Sequence, residues 1–188
     1  MSRSFITPCF SDWTQDLFVL GPMRIINGKR TDYPIRRQID SEEIEGVDWY
    51  RKQDPDFIKG TYSRCHRALR KTLRVGDLLF FRTLWRNNPY LIGYFKITEK
   101  KGDLENPVCV TDVTQSKCVD FLIPISPGMV LMANEKVELG KRHFNKLVNE
   151  FMGRSYLELL PGVAECFKQY INLVDYCRKE NQKLHPLV

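Results

Sequence analysis

Residues 77–98 constrain the fold more than any other part of the chain, because they predict two long strands joined by a short polar turn. In the first strand, DLLFFRTLW, large apolar residues occupy both alternating sets of positions. Successive side chains of a strand point to opposite faces of a sheet, so this strand must be covered on both faces. In the second strand, YLIGYFKIT, Gly93 interrupts the apolar residues, and such a glycine often marks a bend or the close approach of another group.

Shorter patterns predict the other elements. Further strands are indicated by SFITPCF, DLFVLG, PVCVTDV and CVDFLIPI, and RIINGKR contains a turn at Asn27–Gly28. We expect helices at residues 63–73, with Ser63 as N-cap, at 136–152 and at 161–180. The last helix has an apolar stripe that consists of Val163, Phe167, Tyr170, Ile171, Val174 and Cys177.

These elements predict an α+β fold built on a small, mostly antiparallel β-barrel with flanking helices. We expect residues 1–130 to form the barrel domain, with an insert at about 21–58. Residues 131–188 are expected to form a two-helix C-terminal extension that packs on the barrel.

The charged residues are segregated along the chain, whose net charge is +6. Residues 40–56 contain seven acidic and two basic residues, whereas residues 59–86 contain eight basic residues and one acidic residue. Clustered bases attract phosphates and release counterions from them, so this pattern favours a nucleic acid, DNA or RNA, as partner. The alternative is a solvated helix face that pairs with the acidic segment.

Several classes of protein do not fit the sequence. The six cysteines include no CxxC pair, and the three histidines do not complete a zinc pattern, so we expect thiols in a reducing compartment. No segment resembles a signal peptide or a membrane span. We therefore expect a cytoplasmic protein with no cofactor and no membrane partner; the oligomeric state stays open.

The segment LRKTLRVGDLLFFRTLW…NPYLIGYFKITE resembles the PUA-like superfamily, in particular its EVE and YTH-type branch and the related nucleotide-modification-associated domains. Members of that group have a helix, a Gly-Asp turn, a strand with an aromatic pair, and a following strand with a glycine. The matching positions here are Leu69–Leu73, Gly76–Asp77, Phe80–Phe81 and Gly93–Ile97. The opening SFITPCFSDW is similar to the first strand of such domains. The resemblance implies a module that holds a single, often modified, base in a pocket at the barrel rim.

Such a pocket needs aromatic faces for stacking, polar groups for the edge of the base, and cations for the flanking phosphates. The candidate base-binding residues are Thr7, Ser11, Asp12, Trp13, Trp49, Tyr62 and Trp85. The candidate phosphate-binding residues are Arg64, His66, Arg67, Arg70 and Arg82. Trp13 and Trp85 rank first because each lies beside polar residues at a strand end.

Two other functions stay open. Asp56 of DPD, with Glu99 and Lys101 of EKK, loosely matches the pattern of Mg²⁺-dependent nucleases, in which two carboxylates bind the metal and a lysine orients water. The chain could also be a protein-interaction subunit that uses its acidic segment and C-terminal helices. We favour the binding module over the enzyme, and predict no catalytic residues and no metal.

Two features that invite a chemical role are expected not to have one. Asp77 follows a glycine in a turn, so it is predicted to organise that turn. Cys65 and His66 are adjacent, and adjacent helical residues point in different directions, which argues against a catalytic dyad.

Overall fold

The computed structural model describes the chain in segments, which are residues 2–8, 18–20, 24–26, 29–31, 34–36, 55, 59–85, 88–125 and 156–184. The strands are β1 (Ser4–Pro8), β2 (Phe18–Leu20), β3 (Arg24–Ile26), β4 (Lys29–Thr31), β5 (Pro34–Arg36), β6 (Thr61–Tyr62), β7 (Leu78–Trp85), β8 (Asn88–Lys101), β9 (Val108–Thr111), β10 (Lys117–Pro124) and β11 (Leu157–Leu159). The helices are α1 (Arg67–Thr72) and α2 (Pro161–Leu184), and Val113–Gln115 forms a 3₁₀ turn.

Nine of these strands form one mixed sheet in the order β11-β1-β7-β8-β10-β5-β2, with β9 paired to β8 and β6 paired to β9. Strands β1 and β7 run parallel, and the other described pairs in this sheet are antiparallel. In the described strands the two ends of this order do not pair with each other, so the pairing is open. The predicted α+β class is confirmed.

Strand β8 pairs with three other strands, because its partner on one side changes along its length. Its first half pairs with β10 and its second half with β9, while β7 runs along its other side. Opposite β7 the register shifts after the pair Phe81–Gly93, which leaves one extra residue on β8. Such a bulge bends a strand, so the bend predicted from Gly93 lies at this position.

Both faces of β7 are covered, as its sequence predicted. One face, here called the inner side, packs against α1, β6 and β9. Its buried residues form the inner cluster, which consists of Phe5, Tyr62, Leu69, Leu73, Leu79, Phe81, Ile92, Phe95, Ile97 and Cys109. The opposite face packs against α2, and its buried residues form the helix-side cluster, which consists of Ile6, Phe80, Leu91, Tyr94, Ile123, Ile125, Leu159, Val163, Ala164, Cys166, Phe167 and Ile171.

Helix α2 follows the predicted apolar stripe. Val163, Phe167 and Ile171 recur every four residues and are fully buried, and the ring centroid of Phe167 lies 6.0 Å from that of Phe80. Among the described helices, none is both long enough and apolar enough to cross a membrane.

Several elements, strand β6 among them, differ from the sequence-based expectation. Helix α1 begins at Arg67 and not at residue 63. His66 has left-handed backbone torsions (φ 44°, ψ 61°), so the helix cannot extend to the residues before it. Strand β11 was not predicted; it pairs antiparallel with β1 at the edge of the sheet. The helix expected at 136–152 lies outside the described residues.

The region set apart as an insert contains sheet strands. Within it, β3 and β4 form a two-stranded ribbon in which Ile26 lies opposite Lys29, as the predicted turn between them requires. Strand β5 pairs with β10 through Ile35 and Phe121, and with β2 on its other side. This part of the insert therefore extends the main sheet.

Candidate nucleic-acid interface

Asp77 organises the turn that precedes β7. Its carboxylate accepts hydrogen bonds from Arg3 N at 3.0 Å, Arg3 Nη2 at 2.8 Å and Arg74 N at 2.9 Å, and the residue is 3% exposed. Arg3 Nη2 also donates to Thr72 O, the last residue of α1. This network fixes α1 and the basic residues on it relative to the sheet, and confirms the structural role predicted for Asp77.

Helix α1 presents one face to the core and one to solvent. Leu69 belongs to the inner cluster, whereas the side chains of Arg67 and Lys71 are 57% and 38% exposed. At its C-terminal end, Lys100 Nζ donates to Lys71 O at 3.2 Å and Leu73 O at 2.8 Å. A cation is favourable there because the last carbonyls of a helix carry partial negative charge.

Arg70 lies inside the protein, although the sequence made it a candidate phosphate contact. It is 2% exposed. Its guanidinium donates to Cys65 O at 3.0 Å, to Asn106 Oδ1 at 2.8 Å and to Pro107 O. All three nitrogens are thus engaged, and Arg70 clamps α1 to the loop between β8 and β9. Because its charged group is satisfied internally, a phosphate at the surface has no access to it.

Arg67 and Lys71 share one acidic partner in that loop. The carboxylate oxygen Glu105 Oε2 accepts from Lys71 Nζ at 2.7 Å and from Arg67 Nη2, and Arg67 Nε also donates to Glu105 O. The hydrogen bond from Lys71 and the positive charges of Lys71 and Arg67 lower the pKa of Glu105 below its ordinary value. The exposed face of α1 is therefore paired with Glu105. The acidic side chains of residues 40–56, the partner in the sequence-based alternative, lie outside the described residues.

The remaining cations around α1 form a basic surface. Arg64 is exposed and His66 is half-buried. Arg82, the last phosphate candidate, is only 3% exposed and lies in β7 opposite Pro8 of β1. This surface consists of the accessible bases on α1 and on the segments that flank it, together with Lys100, whose ammonium lies at the C-terminal end of the helix; its members are Lys59, Arg64, Arg67, Lys71, Arg74 and Lys100.

Few of the candidate base-binding residues have described side chains. Thr7 and Tyr62 are both fully buried, and the Tyr62 and Phe81 ring centroids are 5.7 Å apart. Trp85 is the last residue of β7, where it pairs with Asn88. The other candidates, Ser11, Asp12, Trp13 and Trp49, lie outside the described residues, as does the Trp85 side chain.

Buried polar groups gather at one end of the inner side. Thr7 lies opposite Phe81 in the parallel pair, and its Oγ1 has no hydrogen-bond partner among the described residues. By alternation along β7, Thr83 shares the face of Phe81; it is 3% exposed and pairs with Tyr90, which packs on the inner cluster. Sequence reasoning missed Thr83 and Tyr90, although both stand at the polar end of otherwise apolar strands.

The residues of the nuclease alternative are only partly described. Lys101 Nζ lies 3.2 Å from Glu99 Oε2, and both side chains are more than half exposed. Asp56 lies outside the described residues. Among the residues that are described, no group of three histidine, cysteine, aspartate or glutamate side chains is placed to bind a metal ion.

The side chains of three of the six cysteines are described, and all three are free thiols, as predicted. Cys65 is exposed, whereas Cys109 and Cys166 are buried in the inner and helix-side clusters. Cys65 precedes the left-handed His66, so the two residues do not lie on a common helix.

No protein-family model matches the chain, and no curated protein sequence matches it. Among solved structures, the chain is similar to the human THYN1 protein, whose crystal structure was determined in complex with DNA containing 5-methylcytosine. The TM-score is 0.41 at 12% identity, over 92% of this chain and 98% of that one. It is also similar to the DUF55 domain of human thymocyte nuclear protein 1, with a TM-score of 0.39 at 12% identity, over 91% of this chain and 98% of that one.

Proposed function

We propose that this chain is a nucleic-acid-binding module with a PUA-like barrel that recognises a modified base. The observation that supports this function is the basic surface around α1, which has six accessible bases, two of which pair with the acidic residue Glu105. Such an excess attracts a polyanion and makes binding sensitive to salt.

The proposed base pocket lies at the end of the inner side where Thr7 and Thr83 are buried. Because β1 and β7 run parallel, their C-terminal ends lie at the same edge of the sheet. Ser11, Asp12 and Trp13 follow β1 closely in sequence, and Trp85 is the last residue of β7. This order supports an aromatic pocket with Trp13 and Trp85 as its walls and Thr7 among its edge contacts. The base would stack on these rings, which is worth roughly 1–3 kcal/mol.

The same proposal keeps the division of the chain. Residues 1–130 carry the base-binding site, residues 131–188 are an extension that adds β11 and α2 to the fold, and the protein acts in the cytoplasm. The phosphates of the nucleic acid contact Arg64, His66 and Arg67, and with them the neighbouring lysines of the basic surface.

A binding screen tests the function. DNA and RNA oligonucleotides with single modified bases are titrated at about 50 mM and about 200 mM salt, because phosphate contacts weaken as salt rises. We expect binding that falls with salt and one modification that binds more tightly than its unmodified parent. Binding that is insensitive to salt and to modification contradicts the proposal.

A pair of charge variants identifies the surface. Arg67→Ala with Lys71→Ala should weaken binding to all sequences and flatten the salt dependence, since phosphate contacts are independent of sequence. Lys168→Ala removes one positive charge from α2 on the other side of the sheet and serves as the control. If each charge removed from α1 weakens binding only as much as the charge removed from α2, then α1 does not contact the nucleic acid.

A further inference from the structure

The carboxylate of Glu105 is held by two cations at the surface. Its Oε2 atom accepts from Lys71 Nζ and from Arg67 Nη2, and all three side chains are substantially exposed. Arg67 and Lys71 are four residues apart on α1, so they point to the same side. Together they form a two-cation site that already binds an oxyanion.

We propose that Arg67 and Lys71 form a binding site for one backbone phosphate, and that the Glu105 carboxylate occupies this site until nucleic acid displaces it. The inference rests on the proposed function, because it assumes that the chain binds nucleic acid. What is new beyond the basic surface is that these two cations bind the same phosphate and that Glu105 competes with the ligand for them.

The loop that carries Glu105 is held independently of its carboxylate. Arg70 fixes it by donating to Asn106 Oδ1 and Pro107 O, and Asn106 N donates to Asp103 Oδ1. Gly102 has a φ of 84°, and a Cβ there would lie 3.3 Å from Asn106 O. With this loop backbone in place, displacement of Glu105 requires only rotation of its side chain.

The cations also keep their positions when the carboxylate leaves. Arg67 Nε donates to the backbone atom Glu105 O, a contact that does not depend on the side chain. The guanidinium thus remains oriented, and its Nη2 becomes available to a phosphate oxygen. A phosphate offers separate oxygens to Arg67 Nη2 and Lys71 Nζ, whereas both of them share one oxygen of Glu105.

Displacement is energetically easy because the ion pairs are exposed. Exposed pairs contribute little, since water and salt screen them. Neutralising Glu105 should therefore tighten nucleic-acid binding about two- to fivefold, which is the factor that the free energy of an exposed ion pair corresponds to.

Glu105→Gln is the test variant, and Glu99→Gln is its matched control. Both remove one negative charge from the same hairpin, but Glu99 pairs with Lys101 at 3.2 Å and not with α1. Affinity is measured at low salt with two fluorescent probes of matched sequence, a duplex DNA and a single-stranded RNA. The same pair of substitutions is then made in a chain with Arg67→Ala and Lys71→Ala, and thermal unfolding confirms that each variant is folded.

We expect Glu105→Gln to bind at least twofold more tightly than Glu99→Gln on the native background, with no difference between them when Arg67 and Lys71 are replaced. Equal affinities on the native background, or an equal difference on both backgrounds, overturn the inference while nucleic-acid binding itself stands. If the unmodified protein binds neither probe at low salt, the proposed function fails as well.

Discussion

Arg3 Nη2 lies 2.8 Å from Asp77 Oδ2, so a residue before the first strand is joined to the turn before β7, 74 positions later. The same two residues are joined through Arg3 N, and the backbone of Leu78 donates to Arg3 O at 2.9 Å. These contacts fix the parallel pairing of β1 and β7, whose ends flank the proposed base pocket. The contact therefore lies at the end of these strands opposite to the proposed pocket.

The first prediction concerns this contact. Asp77→Ala should lower the free energy of unfolding by about 2–4 kcal/mol, because it removes a buried carboxylate and leaves its donors unsatisfied. Arg3→Ala should cost less, since Asp77 still accepts from two backbone N–H groups. Urea unfolding of the two single variants and the double variant measures the coupling. If the effects are simply additive, the Arg3–Asp77 contact contributes nothing of its own.

The second prediction separates two arginines of one helix. Arg70→Met should destabilise the protein by about 3 kcal/mol, since three acceptors lose a charged donor in a buried place. Arg67→Ala is the control and should change the stability little, because its ion pair is exposed. Chemical denaturation of both variants is the measurement. Similar stabilities would mean that the Arg70 clamp is not needed for the fold.

The sequence predicted the strands and the last helix better than it predicted which basic residues are exposed. The double alternation of β7 and the apolar stripe of α2 follow from periodicity alone, and both are confirmed. Strand β11 was missed because a three-residue strand has too few positions to show a period, and its pairing with β1 is a tertiary contact.

The sequence could not separate the exposed bases from the buried ones. Arg67 and Arg70 belong to the same basic run, yet one is exposed and the other buried. The signal was present in part, since Arg70 is next to Leu69 on the buried side of α1. What the sequence did not contain is the loop of residues 102–107, whose oxygens make burial of Arg70 possible.

The third prediction concerns alkaline pH. Tyr94 is 4% exposed, and its burial and the nearby charge of Glu165 raise the pKa of its phenol above the ordinary value of 10.0. Above pH 10.0 the unfolded chain therefore ionises this tyrosine before the folded protein does. Its contribution to stability is complete below that pH and is lost as the pH rises toward the folded-state pKa.

Tyr94→Phe isolates this effect, because phenylalanine does not titrate. We expect the stability of the native protein to fall relative to that of the variant as pH rises above the ordinary tyrosine pKa. Urea unfolding over a series of alkaline buffers measures the difference. Parallel curves for the two proteins would show that Tyr94 titrates alike in both states.

The last prediction uses the buried hydroxyl of Thr7. Because Oγ1 of this fully buried residue has no hydrogen-bond partner among the described residues, Thr7→Val should leave the stability unchanged or raise it. Thr111→Val is the control: Thr111 is also buried, but its Oγ1 donates to Lys96 O at 2.6 Å, so we expect a loss of about 1–2 kcal/mol.

If Thr7 contacts the edge of a base, the same Thr7→Val variant should bind the preferred modified oligonucleotide about fivefold less tightly, the value of one hydrogen bond, with its salt dependence unchanged. Thermal midpoint and affinity are measured together on each variant. Destabilisation equal to that of Thr111→Val would mean that the Thr7 hydroxyl has a structural partner. A stable variant with undiminished affinity would place the base elsewhere, because the hydroxyl would then serve neither the fold nor the ligand.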